Sequence, residues 1–376
     1  MDTAPGVAGS RPAFRADQVG SLLRPPGLLR ARDEHAAGRL DLAGLRGMED
    51  RSILDALRMQ REAGLDVLTD GELRRGGWMG GFLDAVDGFV PGGFALPMHA
   101  AGGEAPTPSA PVAVAARVRA RRGPTEEERA FLRAHAQGPY KITVPSPTTF
   151  AYLCFQRGLT DRVYGAPRDL LGDLVAIVRN ELHAAATDGA AYVQLDAPRY
   201  MLHVDPALRG PLQDWGVDLN RALAESIEAD NACVADLPRH RVAVGIHLCR
   251  GNAAGGGWFA GGGYDAIAER VFGSLDVDRF LLEYDSDRAG DFAPLRFVPA
   301  PKTVVLGLVT TKSPALESPD ALCRRIEQAS AHVPLERLAI SPQCGFASVA
   351  AGNPLSADDQ RRKLDLVVAV ARRVWG

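Results

Sequence analysis

A chain of 376 residues has room for one large α/β domain or two ordinary ones, and for a substantial core. With 46% hydrophobic and 24% charged residues it has the composition of a soluble globular protein, and a formal charge of -3 gives no electrostatic footprint for nucleic acid. No run approaches the roughly 18 apolar residues of a membrane span, and the start does not read as a signal peptide. Five cysteines, an odd number in a long chain, argue against a disulfide scaffold and for a reducing cytoplasm.

The first dozen residues, up to about 13, read as a flexible N-terminus. Strand-like segments then alternate with helix-like ones. The strand candidates are "ADQVGS" (16–21), "DVLTDGE" (66–72), "KITVPSP" (141–147), "YVQLDAP" (192–198), "RVAVGIHLC" (241–249), "RFLLEYD" (279–285), "TVVLGLVTT" (303–311) and "LAISPQCG" (338–345). Amphipathic Ala/Leu/Arg-rich stretches at 166–188, 217–234, 319–331 and 357–374 predict helices between or after them. Eight β-then-α units fit a single (β/α)8 TIM barrel over 1–376 better than an open, doubly wound sheet. The open sheet would call for a phosphate loop, and "GGGWFAGGGY" (255–264) lacks the GxGxxG spacing. Residues 84–137, rich in Pro, Gly and Ala, form an excursion between the second and third strands. It suits a lid, or an interface hairpin in a homodimer.

Nearly every expected strand ends in a polar or small group: Ser21, Glu72, Asp196, His247 with Cys249, Glu283, Thr311 and Cys344. In a barrel these ends share one rim, where ligands bind. His247 and Cys249, two apart, leave their strand on one face. Zinc takes four ligands from Cys, His and Asp/Glu, and the rim offers His247, Cys249, Glu283 and Cys344. Their scatter over three strands suggests a catalytic metal assembled by the fold. A structural zinc and a metal-free rim are the alternatives.

At these residues the chain resembles a known family. "VGSLLRP", "LTDGELRR", "HLCRGN", "LLEYD" and "SPQCGF" are similar to motifs in the catalytic barrel of cobalamin-independent methionine synthase, and more closely in its single-barrel bacterial relatives. The resemblance implies zinc held by His247, Cys249, Glu283 and Cys344. It implies an amino-acid substrate bound by Val19, Gly20, Ser21 and Glu72, with Asp196 in "QLDAP" receiving its ammonium group. Two departures stand out. The family's Asp-Glu-Pro reads Asp196-Ala197-Pro198, and its His-Ser-Pro, with the proton-donating histidine, reads Lys312-Ser313-Pro314. Lys312 becomes the candidate acid or anion-binding group. Tyr152 lies near the place of the family's aromatic platform, Trp78 suits a lid or wall, and His203 lies just past the fourth strand.

The implied activity is zinc-dependent transfer of a methyl group, from methyltetrahydrofolate or a related donor, to the thiolate of homocysteine or a close analogue. Zinc deprotonates a coordinating thiol, which is the form that attacks carbon. The partners are a small thiol and a methyl donor, with no nucleic acid and no membrane. Two other readings stay open. One is another zinc-thiolate alkyltransferase, such as an epoxyalkane:coenzyme M transferase-like enzyme, which Arg74, Arg75 or Arg199 would serve by binding a sulfonate. The other is a non-catalytic zinc or thiol-binding protein.

Overall fold

The structure, a computed structural model, describes residues 13–100 and 111–376. The expected flexible N-terminus lies almost wholly outside these residues, as does the stretch 101–110 of the excursion. Strands β1 (Val86–Pro91) and β2 (Val112–Ala120) pair antiparallel. Strands β3 (Lys141–Pro145), β4 (Tyr192–Asp196), β5 (Ala243–Leu248), β6 (Arg279–Glu283), β7 (Thr303–Val309) and β8 (Leu338–Pro342) form one parallel sheet in chain order. Helices cover its outer side, including Pro167–Thr187, Leu219–Val234, Pro319–Ser330 and Ala357–Trp375, within a residue or two of the stretches expected from their periodicity. Each starts where the sequence supplies a stop or a cap. Asp218, Ser318 and Ser356 accept backbone N–H bonds from the first turns that follow them. No described helix is long and apolar enough to cross a membrane.

Parity along the strands decides where the chemistry goes. Val193, Leu195, Val244, Ile246, Phe280 and Leu282 face the helices and join the main core. The alternate positions Tyr192, Ala243, Leu281, Val305 and Ala339 pack with Phe14, Val19 and Val67 in a second, inner cluster. A strand's side chains repeat every two residues, so Asp196, His247 and Glu283 share that inner face, at the carboxyl ends of their strands. Asp196 and His247 are direct register partners.

The first two expected strands are not part of the six-stranded sheet. Residues 16–21 contribute one parallel bridge, Ala16 to Ile340, and residues 66–72 contribute another, Leu68 to Tyr140. Each makes only a few main-chain bonds, such as Asp17 N–H to Ile340 O, Asp66 N–H to Ala16 O and Lys141 N–H to Leu68 O, and side chains take some of the remaining groups. Asp66 accepts the Ala16 N–H at 2.9 Å, and the Gln60 amide bonds both the N–H and the C=O of Thr69. Such local side-chain bonds compete with sheet pairing. On the inner face, buried Lys141 ties the N-terminal segment to the sheet through Asp17 and Gln194, each at 2.9 Å.

The excursion is a hairpin followed by the helix Glu126–His135. Its segment near His99 exchanges two backbone hydrogen bonds with Trp258, in the loop after β5. That contact brings it over the carboxyl ends of the strands.

Candidate active site

A cavity opens at those ends, lined by Val19, Ser21, Glu72, Asp196, His247, Cys249 and Cys344. Phe94, Leu96 and Met98 of the excursion and Leu153 form an apolar side, and Trp78 is part of the wall. The excursion therefore acts as a cover.

His247, Cys249 and Cys344 bring one imidazole nitrogen and two sulfurs within 4.8 Å of one another, all buried. Neither ring nitrogen of His247 makes a well-formed hydrogen bond among the described residues; burial opposes its charge, but the Cys344 sulfur beside it and the carboxylates of Asp196 and Glu283 favour the charged imidazole. Burying such a group unpaired is costly, and a cation would use it. The Cys344 thiol is pushed well up by its hydrogen bond with Cys249 and by burial, with charge repulsion from Cys249 adding to the effect and His247 opposing it. A divalent ion reverses that penalty. The donor set thus fits a soft or borderline metal, and these three residues could hold one. Asn252 fixes the arrangement: its amide donates to Gly345 O at 2.7 Å and to Ser348 Oγ at 3.0 Å, tying the loop after Cys249 to the loop after Cys344.

Glu283 is kept apart from this trio. Its carboxylate accepts from Arg288 at 2.6 Å and from the Arg250 N–H at 2.8 Å. Burial opposes its charge, but Lys312, Arg250 and Arg288 outweigh it and hold the carboxyl below its usual range. A guanidinium within reach forms a charge-assisted bond, and that bond separates Glu283 from the set of four expected from sequence.

Glu72 and Asp196 face the same cavity. Glu72 Oε1 accepts from Thr143 at 2.9 Å and lies 3.6 Å from Arg75, while Oε2 is buried without a partner among the described residues. Asp196 Oδ1 accepts from Gln194 at 2.7 Å. Burial pushes both carboxyls up, and for Glu72 the nearby Asp196 adds to the effect against the pull of Arg75. Glu72 sits at φ 56°, a left-handed conformation rare for a residue with a side chain. Asp70 accepts its N–H, and Arg24 donates to its carbonyl, so the turn is fixed from both sides.

Gly20 does not line the cavity, and its role is clearance. A Cβ there would meet Thr143 at 2.9 Å and the Glu72 carboxylate at 3.0 Å. Gly345 does the same for Ser21, whose Oγ would lie 1.9 Å from an added Cβ. Lys312 is not among the cavity-lining residues. Its ammonium donates to Gly251 O, Asn252 Oδ1 and Gly257 O at 2.9, 3.1 and 3.3 Å, clamping the loop after β5. Tyr152 also lies away from the cavity, donating to Glu225 at 2.7 Å. His203 is in a side pocket, with its imidazole pulled down to about 4 by burial.

The sequence reading left the arginines open. Arg74 turns away to Glu49 and Asp50. Arg75 makes a two-pronged bond to Glu128 of the excursion helix. Arg199 lines the cavity, stacked over Phe259 at 5.7 Å.

Comparison with known proteins decides the family. Residues 16–372 match the model described as the cobalamin-independent synthase catalytic domain. The chain belongs to that family. It is 38% identical to the uncharacterized protein YxjG of Bacillus subtilis (strain 168), over 97% of this chain and 96% of that protein. A methionine synthase of Thermococcus kodakarensis is 24% identical over 89% of this chain and 87% of its own length. Among solved structures, a candidate vitamin-B12-independent methionine synthase from Listeria monocytogenes superposes with a TM-score of 0.76 and 29% identity, covering 98% of this chain and 99% of that one. The B12-independent methionine synthase of Shewanella sp. W3-18-1, solved with selenomethionine, shares the fold at a TM-score of 0.73 and 18% identity, over 96% of this chain and 97% of that one. The chain is thus a methionine-synthase-like catalytic domain of a methyltransferase family, with a His/Cys/Cys cluster suited to a metal.

Proposed function

We propose that the protein is a zinc-dependent S-methyltransferase. It moves a methyl group from methyltetrahydrofolate or a related donor to the thiolate of homocysteine or a close analogue, giving methionine or its analogue. We read the sheet and the extended segments near residues 16 and 68 as a closed (β/α)8 barrel. The observation that carries the proposal is a buried His247 clustered with two buried thiols, in one cavity with two carboxylates.

Bound zinc supplies a deprotonated, nucleophilic substrate sulfur near neutral pH, and two cysteine ligands keep that sulfur electron-rich. His247, Cys249 and Cys344 are the residues that would hold it, with Glu283 as the fourth donor if it exchanges Arg288 for the metal. Asp196 and Glu72 take the substrate ammonium, and the free Oε2 of Glu72 gives that charge a buried partner. Methyl transfer forms an S–C bond as the donor's bond to its methyl breaks. The electron pair stays with the donor atom, which leaves more readily if protonated. Lys312, with its three oxygen partners, positions the loop after β5 and is not the acid in this account.

Of the three arginines that could serve a sulfonate thiol, Arg74 and Arg75 are already paired, and two carboxylates line the cavity; Arg199 keeps the sulfonate reading open. Calorimetry on the zinc-loaded protein separates the alternatives. L-Homocysteine should bind roughly tenfold or more tighter than its deaminated analogue 4-mercaptobutyrate, the scale of a charged hydrogen bond. Equal affinities would reject an amino-acid thiol as substrate.

A further inference from the structure

The buried arginines of this protein are nearly all spoken for. Arg75 is bonded to Glu128, Arg279 to Asp17 and the Ala13 and Phe14 carbonyls, and Arg250 to Gly262, Tyr264 and the Glu283 carbonyl. Arg199 is the exception. Among the described residues no carboxylate pairs with it and no oxygen accepts from it, and its Nε is buried without a partner. Its guanidinium nonetheless lines the cavity, supported from one side by the Phe259 ring. Aromatic support steadies a guanidinium without consuming its donors. A fork of unused N–H groups facing a cavity is suited to a planar anion.

We infer that Arg199 anchors a carboxylate of the methyl donor, so that the donor is an organic anion with an apolar or flat body. The inference rests on the reading of this cavity as the place where a thiol and a methyl donor meet.

The position of Arg199 tells the two ligands apart. The ionisable side chains that act on it are Cys154 and Cys249; Glu72 and Asp196 are not among them. An amino-acid thiol carries its carboxylate and its ammonium on one carbon. With the ammonium at Asp196 and Glu72, that carboxylate stays on the acidic side of the cavity. On this assignment the anion at Arg199 belongs to the second molecule. Arg199 also shares a side pocket with Leu153, and Leu153, Cys154 and Phe259 line the main cavity with it. These neighbours offer contact to carbon and leave Arg199 to supply the charge. Asp196 and Arg199 lie three residues apart, so one short segment after β4 would present opposite charges to the two substrates.

The test uses 3-phenylpropionate and its neutral amide as probes, with calorimetry on the zinc-loaded wild type, Arg199→Met and Arg199→Lys. Wild type should prefer the carboxylate by roughly tenfold or more. Arg199→Met should lose the preference, and Arg199→Lys should keep part of it as a point charge. No preference in wild type, or an undiminished one in Arg199→Met, overturns the inference. A second arm compares L-homocysteine with 3-aminopropane-1-thiol, which lacks the carboxylate. Their affinity ratio should be the same in wild type and Arg199→Met. A collapse of that ratio would give Arg199 to the thiol and overturn the donor assignment. Failure of homocysteine to bind wild type, with the probe preference intact, would sink the methyl-transfer reading and the donor assignment while leaving an anion site at Arg199.

Discussion

The trio His247, Cys249 and Cys344 and the pair Glu72 and Asp196 occupy one rim but are prepared differently. Within the trio His247 is the one group that can offset the thiols, and its ring nitrogens make no well-formed hydrogen bond among the described residues. The carboxylates are half-neutralised in advance: Thr143 and Arg75 serve Glu72, and Gln194 serves Asp196. A site that must hold a metal continuously can leave its donors unpaired. A site that fills and empties with substrate needs partial internal partners, or the empty protein would carry two unpaired buried charges.

This contrast predicts its own hierarchy of effects. Cys249→Ser/Cys344→Ser should abolish stoichiometric zinc, measured by mass spectrometry of the purified protein, while circular dichroism shows an intact fold. The sheet and both hydrophobic clusters do not depend on either sulfur. Full zinc in the double variant would break the comparison.

Changes to the carboxylates should leave zinc in place and weaken the thiol. Asp196→Asn should lower homocysteine affinity by roughly tenfold or more, the scale of a charged hydrogen bond. Glu72→Gln should cost less, on the order of a few-fold, because Thr143 and Arg75 already share its charge. A larger loss in Glu72→Gln than in Asp196→Asn would reverse the assigned weights.

A separate effect, on stability and not on ligand binding, lies behind the rim. Asp230 is buried against Ser146 and Tyr200, at 2.6 and 2.8 Å, and burial pushes its carboxyl up to about 7 from 3.8. The folded state then holds its proton more tightly than the unfolded chain. Stability from this group is complete below about pH 4 and is lost as the pH rises toward 7, by on the order of 4 kcal/mol at most. Denaturation at pH 5 and pH 8 should show wild type losing more stability than Asp230→Asn. An identical loss would remove Asp230 from the account. Asp70, also pushed up to about 7 by burial, contributes in the same direction in both proteins.

Much of this was legible in the sequence, because strand parity and helix period are local. Those patterns marked the strand ends that carry Asp196, His247 and Cys344, and the helices that cover the sheet. Residues 16–21 and 66–72 carry the same apolar pattern as true strands. They pair over one bridge each and no further, and the side-chain bonds of Asp66 and Gln60 that take neighbouring backbone groups are settled only by the fold. Glu283 was legible as a strand-end carboxylate, but its bond to Arg288 comes from the path of the next loop. Arg75 and Arg199 look alike in sequence. The excursion gives Glu128 to one of them and nothing to the other. Asn252 was within reach, since it sits in the quoted "HLCRGN", but its bonds to Gly345 and Ser348 join loops far apart in the chain.

The central claim is that an amino-acid thiol reaches a metal held by His247, Cys249 and Cys344. Zinc K-edge X-ray absorption, recorded with and without L-homocysteine, tests it most directly. Cys249 and Cys344 would supply two sulfur ligands at rest. The account predicts that homocysteine adds one more sulfur at the zinc–thiolate distance of about 2.3 Å. A sulfur count unchanged by saturating homocysteine would contradict it.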